Sequence, residues 1–360
     1  MRGLFAARVK PKGPSPGPEP GSLRPPGFRN LSRRTDALRS TDPRRHTRNF
    51  ASRNDLEGLY SLGPRENAMR VPSPHHDLPM SDQFSDQPLG DARIGDYVVG
   101  RLLGEGAMGK VYEATDSDGT RVALKLVKAD YARDETFRRR FHREARIAQT
   151  VKHPNVVPVI ATGEHEGVPY MAQKFIDGLS LEEKLKRDGP FEVADAVRIC
   201  TDVAAGLEAL WAAGMVHRDV KPANILLDQQ GESYITDFGL SKDTQGSVLT
   251  LPGQALGSVE YMAPEQIRGQ ALSAATDIYS LGCVINECVC GQSPFAETEG
   301  MRILWAHLQE EPPDPRRLRG DLPPKFAQTL LLALEKDPEE RPASAGEYAR
   351  MLAAAAGPPS

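Results

Sequence analysis

The chain has 360 residues, 39% of them hydrophobic and 26% charged, with a formal net charge of −4 at pH 7. That length accommodates two lobes plus appendages, and no apolar run approaches the roughly 18–20 residues of a membrane span; Leu330–Leu334 is the nearest. Cys200, Cys283, Cys288 and Cys290 lack the paired C-x-x-C spacing of a zinc site and read as buried thiols in a reducing compartment.

Residues 1–92 read as a tail. The first 90 residues hold 13 of the 30 prolines and 15 Lys or Arg against 9 acids. Few apolar residues and no sustained period leave too little burial to offset ordering entropy, so disorder is expected. A misplaced start offers a second account, with Met69 or Met80 as the true first residue. Met1–Ala7 has no adequate apolar core for a secretion leader. The remainder is acidic and offers no nucleic-acid surface. Together these features lead us to expect a soluble, cytoplasmic protein.

The ordered part should begin near residue 93. Leu102-Leu103-Gly104-Glu105-Gly106-Ala107-Met108-Gly109-Lys110-Val111 places a G-x-G-x-x-G between two strands, rather than in the strand–loop–helix of a dinucleotide site. Glycines let a backbone approach phosphates and aim its N–H groups at them. Alone, such a loop reads equally as a flexible turn. After the turn at Asp116–Thr120, the strand Val122–Leu126 carries one lysine, Lys125. It either projects outward from an edge or reaches toward phosphates.

Phe137, Phe141, Ala145 and Ala148 recur at helical spacing and predict a helix over Arg133–Thr150, with Glu144 inside it. Strands are expected at Val156–Ile160 and Tyr170–Ile176, which makes about five antiparallel strands and one helix. A helix over Phe191–Ala213 ends at Gly214. Further helices fit Ala275–Cys290, Glu299–Gln309, Pro323–Leu334 and Ser344–Ala354, and residues 355–360 should fray.

Between the apolar runs Met215–Val216 and Ile225–Leu227 lies His217-Arg218-Asp219-Val220-Lys221-Pro222-Ala223-Asn224, a polar loop held by buried flanks. Asp237-Phe238-Gly239 begins thirteen residues after Asn224. In order, the glycine loop, Lys125, Glu144, this octet, Asp237-Phe238-Gly239, Ala263-Pro264-Glu265, Asp277 and Arg341 resemble the eukaryotic-type serine/threonine protein kinases, and Tyr261–Glu265 and Lys336-Asp337-Pro338 resemble their bacterial members. The resemblance covers about residues 94–354.

It implies an α+β, bilobal protein-kinase-like fold: a small antiparallel-sheet lobe with one helix over 93–176 and a larger, mainly helical lobe over 177–354. It implies transfer of the γ-phosphoryl of ATP to Ser/Thr hydroxyls of proteins, with Mg2+, or Mn2+ as a substitute. Asp219 would orient the hydroxyl and accept its proton, Lys221 would stabilise the transferring phosphoryl, and Asn224 and Asp237 would hold the metal. Lys125 would reach the α- and β-phosphates, held by Glu144. Leu103, Gly104, Glu105, Gly106, Ala107, Met108, Gly109, Val111 and Ala123 would enclose the nucleotide, and the main chain of Lys174 and Ile176 would bond the adenine. Gln173 and Lys174 depart from the family, which more often has an apolar residue and then an acid.

The resemblance further implies that His217 packs on Phe238, that Glu265 and Arg341 form a structural ion pair, and that Asp277 accepts bonds from the catalytic-loop backbone. Residues 238–262 have the composition of an activation segment, with Ser241, Thr244, Ser247 and Thr250 as acceptors for self-phosphorylation in trans and Arg218 as the phosphate's partner. Ser258 stands where the family usually has Thr. The alternative is a catalytically silent scaffold, although no required group is missing.

Overall fold

The computed structural model describes residues 92–238, 256–298 and 300–357. The tail before residue 92, Gly239, the hydroxyls of Ser241, Thr244, Ser247, Thr250 and Ser258, and the last three residues lie outside the described residues.

Strands β1 (Arg93–Ile94), β2 (Tyr97–Glu105), β3 (Gly109–Thr115), β4 (Arg121–Val127), β5 (Val159–His165) and β6 (Val168–Lys174) form one antiparallel sheet in the order β1-β2-β3-β4-β6-β5. The strand beyond the five expected is β1, two residues paired back on β2 across a turn with Gly95 at φ 57°. The β3–β4 turn closes because Asp116 Oδ1 accepts from Asp118 N at 2.9 Å and Thr120 N at 2.8 Å.

Alternation sorts the side chains of this sheet onto two faces. Val122, Leu124, Leu126, Tyr112, Ala114 and Ala172 form a buried cluster on one. Val111, Ala123, Lys125, Met171 and Gln173 share the other, because directly paired residues of antiparallel strands project to the same side. Lys125 reaches Asp237 from there, so this face looks toward the second lobe.

Helix α1 (Ala129–Ala132) precedes α2 (Glu135–Thr150). The sequence placed the α2 start at Arg133; instead Asp134 caps it, accepting from Thr136 N at 2.8 Å and Phe137 N at 3.3 Å. Phe137, Phe141, Ala145 and Ala148 are its buried face, as the periodicity predicted.

The second lobe opens with β7 (Gly178–Ser180), paired to β8 (Ile225–Asp228), which pairs in turn with β9 (Ser233–Ile235). Helix α3 (Leu181–Asp188) starts on a capping box between Ser180 and Glu183. Helix α4 (Val193–Ala212) stops where Gly214 adopts φ 77°. Helices α5 (Pro264–Ile267), α6 (Ala274–Cys290), α7 (Arg302–Gln309), α8 (Pro324–Leu332) and α9 (Ala345–Ala356) complete it. Helix α6 is apolar nearly all round and accordingly sits inside the lobe, with Ile278, Leu281, Val284 and Ile285 at most 1% exposed. Burying each such side chain is worth about 1.5–3 kcal/mol. Gly282 permits the approach to α8, since a Cβ there would lie 2.7 Å from the Ala333 Cβ.

Glu265 and Arg341 form the expected pair: Nη1 to Oε1 at 2.8 Å and Nη2 to Oε2 at 2.9 Å, with side chains 4% and 0% exposed. Arg341 also donates to the carbonyls of Ala275 and Glu335, both at 2.8 Å. Burial alone would raise the Glu265 carboxyl, but the bonds from Arg341 outweigh it and hold it below the usual range. Among the described residues, no helix is long and apolar enough to cross a membrane.

Candidate active site

Asp277 organises the polar loop from below. Its Oδ2 accepts from Trp211 Nε1 at 2.9 Å and His217 N at 2.8 Å, and its Oδ1 accepts from Arg218 N at 2.8 Å. Full burial raises this carboxyl, against the opposing pull of His217 and these three donors. Clamping two consecutive amides fixes Arg218 in the left-handed region, at φ 69°.

His217 is fully buried and acts as a strut. Its Nε2 lies 3.0 Å from the Thr236 carbonyl, Nδ1 accepts from Asp219 N at 3.3 Å, and the ring meets Phe238 edge-on at 6.2 Å. One donor and one acceptor require the neutral ring, in keeping with burial holding its pKa below the ordinary value.

Above this base the polar groups converge. Lys221 Nζ lies 2.8 Å from Asp219 Oδ2, and Asn224 Nδ2 donates to Asp219 Oδ2 at 3.0 Å and to the Asp219 carbonyl at 2.8 Å. Asp237, at φ 59°, places Oδ1 2.8 Å from Lys125 Nζ. A divalent cation fits this donor set. The Asn224 amide spends its nitrogen on Asp219 and keeps its oxygen, and Asp237 keeps one carboxylate oxygen beyond Lys125. Among the described residues no group of three His, Cys, Asp or Glu could hold a metal by itself. A hard divalent cation can take one or two protein oxygens and complete its shell with phosphate and water.

The glycine loop spans the β2–β3 junction. Gly106 N donates to the Gly109 carbonyl at 2.9 Å, and Lys128 N donates to the Met108 carbonyl at 2.8 Å. Gly109 is sterically obligatory, since a Cβ would collide with the Leu126 carbonyl; Gly104 has nothing within 4 Å. Glu105 pairs with Lys128 at 2.7 Å, and Leu103 is exposed beside it. Val111 and Ala123 flank Lys125 on the inner sheet face. At the lobe junction Gln173 is buried, Lys174 is exposed, and Lys174 N donates to the Pro158 carbonyl at 2.9 Å. Arg121 lies 4.4 Å over the ring of Phe175, next to Ile176.

One expected pairing is absent. Glu144 does not hold Lys125, whose ammonium instead meets Asp237. Glu144 Oε1 faces Arg143 Nη2 at 3.7 Å and Arg218 Nη1 at 3.9 Å. The reason is local charge. Burial raises the Glu144 carboxyl, and Arg218, Arg143 and Arg140 together oppose that. A half-buried carboxylate settles among three guanidiniums in preference to one ammonium already neutralised. Arg218 therefore meets Glu144, while its expected partners lie outside the described residues.

Sequence reasoning missed Trp211 and Gln266. Gln266 Nε2 donates to the Arg218 carbonyl at 2.9 Å, and its Oε1 accepts from Ala263 N at 3.0 Å, tying the Ala263-Pro264-Glu265 turn to the polar loop. A partly buried indole N–H usually finds a partner, which was the available signal for Trp211. Gln266 offered none.

Two lobes and a glycine loop, with two lysines, an amide and two aspartates gathered at the site, define a nucleotide-dependent phosphotransferase architecture. A family model described as "Protein kinase domain" matches residues 97–351, and the chain belongs to that family. It is 41% identical over 264 residues to serine/threonine-protein kinase PknD of Mycobacterium tuberculosis, covering 73% of this chain and 40% of that protein. It is 40% identical over 272 residues to PknH of Mycobacterium bovis, covering 75% and 45%. Among solved structures it resembles the Mycobacterium tuberculosis PknI kinase domain, with a TM-score of 0.61 at 29% identity, covering 74% of this chain and 98% of that one. The chain thus spans less than half the length of these curated relatives. Members of the family use ATP and a divalent metal and act on proteins.

Proposed function

We propose that this chain is a serine/threonine protein kinase that transfers the γ-phosphoryl of Mg-ATP to protein hydroxyls. The observation that carries the reading is the convergence of Lys221 and Asn224 on Asp219, opposite the Lys125–Asp237 pair. Asp219 orients the attacking hydroxyl and accepts its proton. Lys221 stands beside it to stabilise the phosphoryl group in flight, and lysine at this position accords with Ser/Thr specificity. Asn224 and Asp237 would hold the divalent cation, Mg2+ with Mn2+ as a substitute, and the cation would supply neutralisation of phosphate charge when bound. Lys125 steadies the α- and β-phosphates. In the transferring state Glu144 leaves the arginines for Lys125, which releases Asp237 toward the cation; in the present arrangement that exchange has not been made.

The catalytic unit is residues 93–354, with the lobes meeting at residue 176, and the nucleotide lies beneath the glycine loop against Val111 and Ala123. Protein substrates include a second copy of the chain, phosphorylated in trans at Thr250 or Ser247 foremost. Four unpaired cysteines support a cytoplasmic location. The test is phosphoryl transfer from labelled ATP to a generic protein substrate by the wild type and Glu144→Gln. Transfer that falls at least tenfold in the variant, with nucleotide affinity changed far less, supports both the activity and the exchange; equal transfer by the two would contradict the role of Glu144.

A further inference from the structure

The peptide unit joining Arg218 to Asp219 is held at both of its polar atoms. Its carbonyl, that of Arg218, accepts from Gln266 Nε2 at 2.9 Å, and its N–H, that of Asp219, donates to His217 Nδ1 at 3.3 Å. One residue earlier, Asp277 Oδ1 accepts from Arg218 N at 2.8 Å. Arg218 needs such restraint, because a non-glycine residue at φ 69° is strained and persists only where its surroundings over-determine it. Turning this peptide plane changes the backbone angles that flank it and so re-aims the Asp219 carboxylate.

His217 and Asp277 are both 0% exposed and belong to the loop's own support. Gln266 comes from elsewhere. It lies on α5, is 7% exposed, and its Oε1 accepts from Ala263 N at 3.0 Å, at the turn that follows the expected activation segment. A carboxamide has an acceptor end and a donor end. This one gives the acceptor to that turn and the donor to the peptide unit of Asp219. Helix α5 has an anchor besides Gln266, since Glu265 is bound to Arg341. Resting on the kinase reading above, we infer that Gln266 is a positioning residue: it sets the Asp219 carboxylate for the attacking hydroxyl and makes that setting depend on the turn at Ala263.

The test uses the full chain and two variants. Gln266→Met fills a similar volume and makes neither bond. Gln266→Glu keeps an acceptor for Ala263 N but, as a carboxylate, has no proton to donate to the Arg218 carbonyl. Single-turnover phosphoryl transfer is measured at saturating Mg-ATP and peptide substrate, beside ATP affinity, urea unfolding and residue-resolved amide hydrogen exchange without ligand. Misplacing a reacting group slightly, or leaving one buried carbonyl unbonded, is worth about tenfold to a hundredfold. The transfer rate per folded molecule should therefore fall at least tenfold in both variants, with ATP affinity within twofold of wild type. The Asp219 amide should exchange at least tenfold faster in both. The Ala263 amide should lose protection in Gln266→Met alone.

Transfer within twofold of wild type in both variants, or unchanged exchange at Asp219, would overturn the inference. A lower unfolding midpoint with an unchanged rate per folded molecule would make Gln266 a packing residue. If Gln266→Met fails to fold, Gln266→Glu decides, since it alone keeps the bond to Ala263. If wild type binds ATP but transfers no phosphoryl, the kinase reading fails and the positioning role with it, while exchange at Asp219 still decides whether Gln266 holds the peptide unit.

Discussion

Replacing Arg341 by alanine isolates a buried charge effect in the second lobe. The Glu265 carboxylate is 4% exposed and would lose two bonds, at 2.8 and 2.9 Å, together with the guanidinium that neutralises it. The carbonyls of Ala275 and Glu335 would lose their donor too. Breaking a buried pair from one side costs about 3–5 kcal/mol, because the remaining charge stays desolvated. For a domain of this size that is a fall of roughly 6–20 °C in melting temperature. The sign with pH follows from Glu265. In the wild type its pKa is depressed, so the pair stabilises above the ordinary carboxyl pKa and fades as pH falls through the folded value. In the variant burial dominates and raises the carboxyl, so the defect should be largest near neutral pH and should shrink toward pH 5. Glu265→Met combined with Arg341→Met, which leaves no orphan charge, should unfold at higher temperature than Arg341→Ala alone. The assay is thermal and urea unfolding of all three proteins at pH 5 and 7.5. A single variant within 1 °C of wild type, or a defect that grows toward pH 5, would refute the reasoning.

Further outcomes follow from individual contacts. Gly109→Ala drives a Cβ into the Leu126 carbonyl and should cost about 1–3 kcal/mol of stability and raise the KM for ATP, whereas Gly104→Ala, with nothing within 4 Å, should be near neutral; unfolding and steady-state kinetics of the two variants decide. Trp211→Phe removes the indole donor from Asp277 and should cost about 1–3 kcal/mol, read by urea unfolding, with a lower kcat as the polar loop loosens. Asp237→Asn weakens the cation site and removes the partner of Lys125, so the metal concentration for half-maximal transfer should rise at least tenfold in a magnesium titration.

The lobes, most helices and the polar octet were legible because periodicity and caps are local. Phe137, Phe141, Ala145 and Ala148 announced the buried face of α2, and only its first residues moved, to suit the Asp134 cap. Strand β1 was not legible, since two residues carry no period. Strand β5 starts at Val159 where a strand from Val156 was expected, because Val156 instead bridges to Ile235 of the second lobe. Within the site, the bonds of Asp277 and the bidentate Glu265–Arg341 pair appear as the resemblance implied. The partner of Lys125 could not be read, because Glu144 and Asp237 both satisfy the motif. Which one binds depends on where α2 sits and on Arg218, Arg143 and Arg140 competing for Glu144. The bond from Gln266 to Arg218 is long-range, from residues 48 apart, and no local pattern encodes it.

The central claim rests on Asp219. The decisive measurement is the incorporation of labelled phosphate from γ-labelled ATP and Mg2+ into a protein substrate by purified wild type and Asp219→Asn, at matched nucleotide occupancy. The asparagine keeps the shape of the side chain but cannot accept the hydroxyl proton, and loss of a general base costs about 10²–10⁴ in rate. Wild-type incorporation on serine or threonine, with a hundredfold or greater fall in the variant and little change in nucleotide affinity, is the expected result. Equal incorporation by the two proteins, or none by either at saturating ATP, would contradict the account.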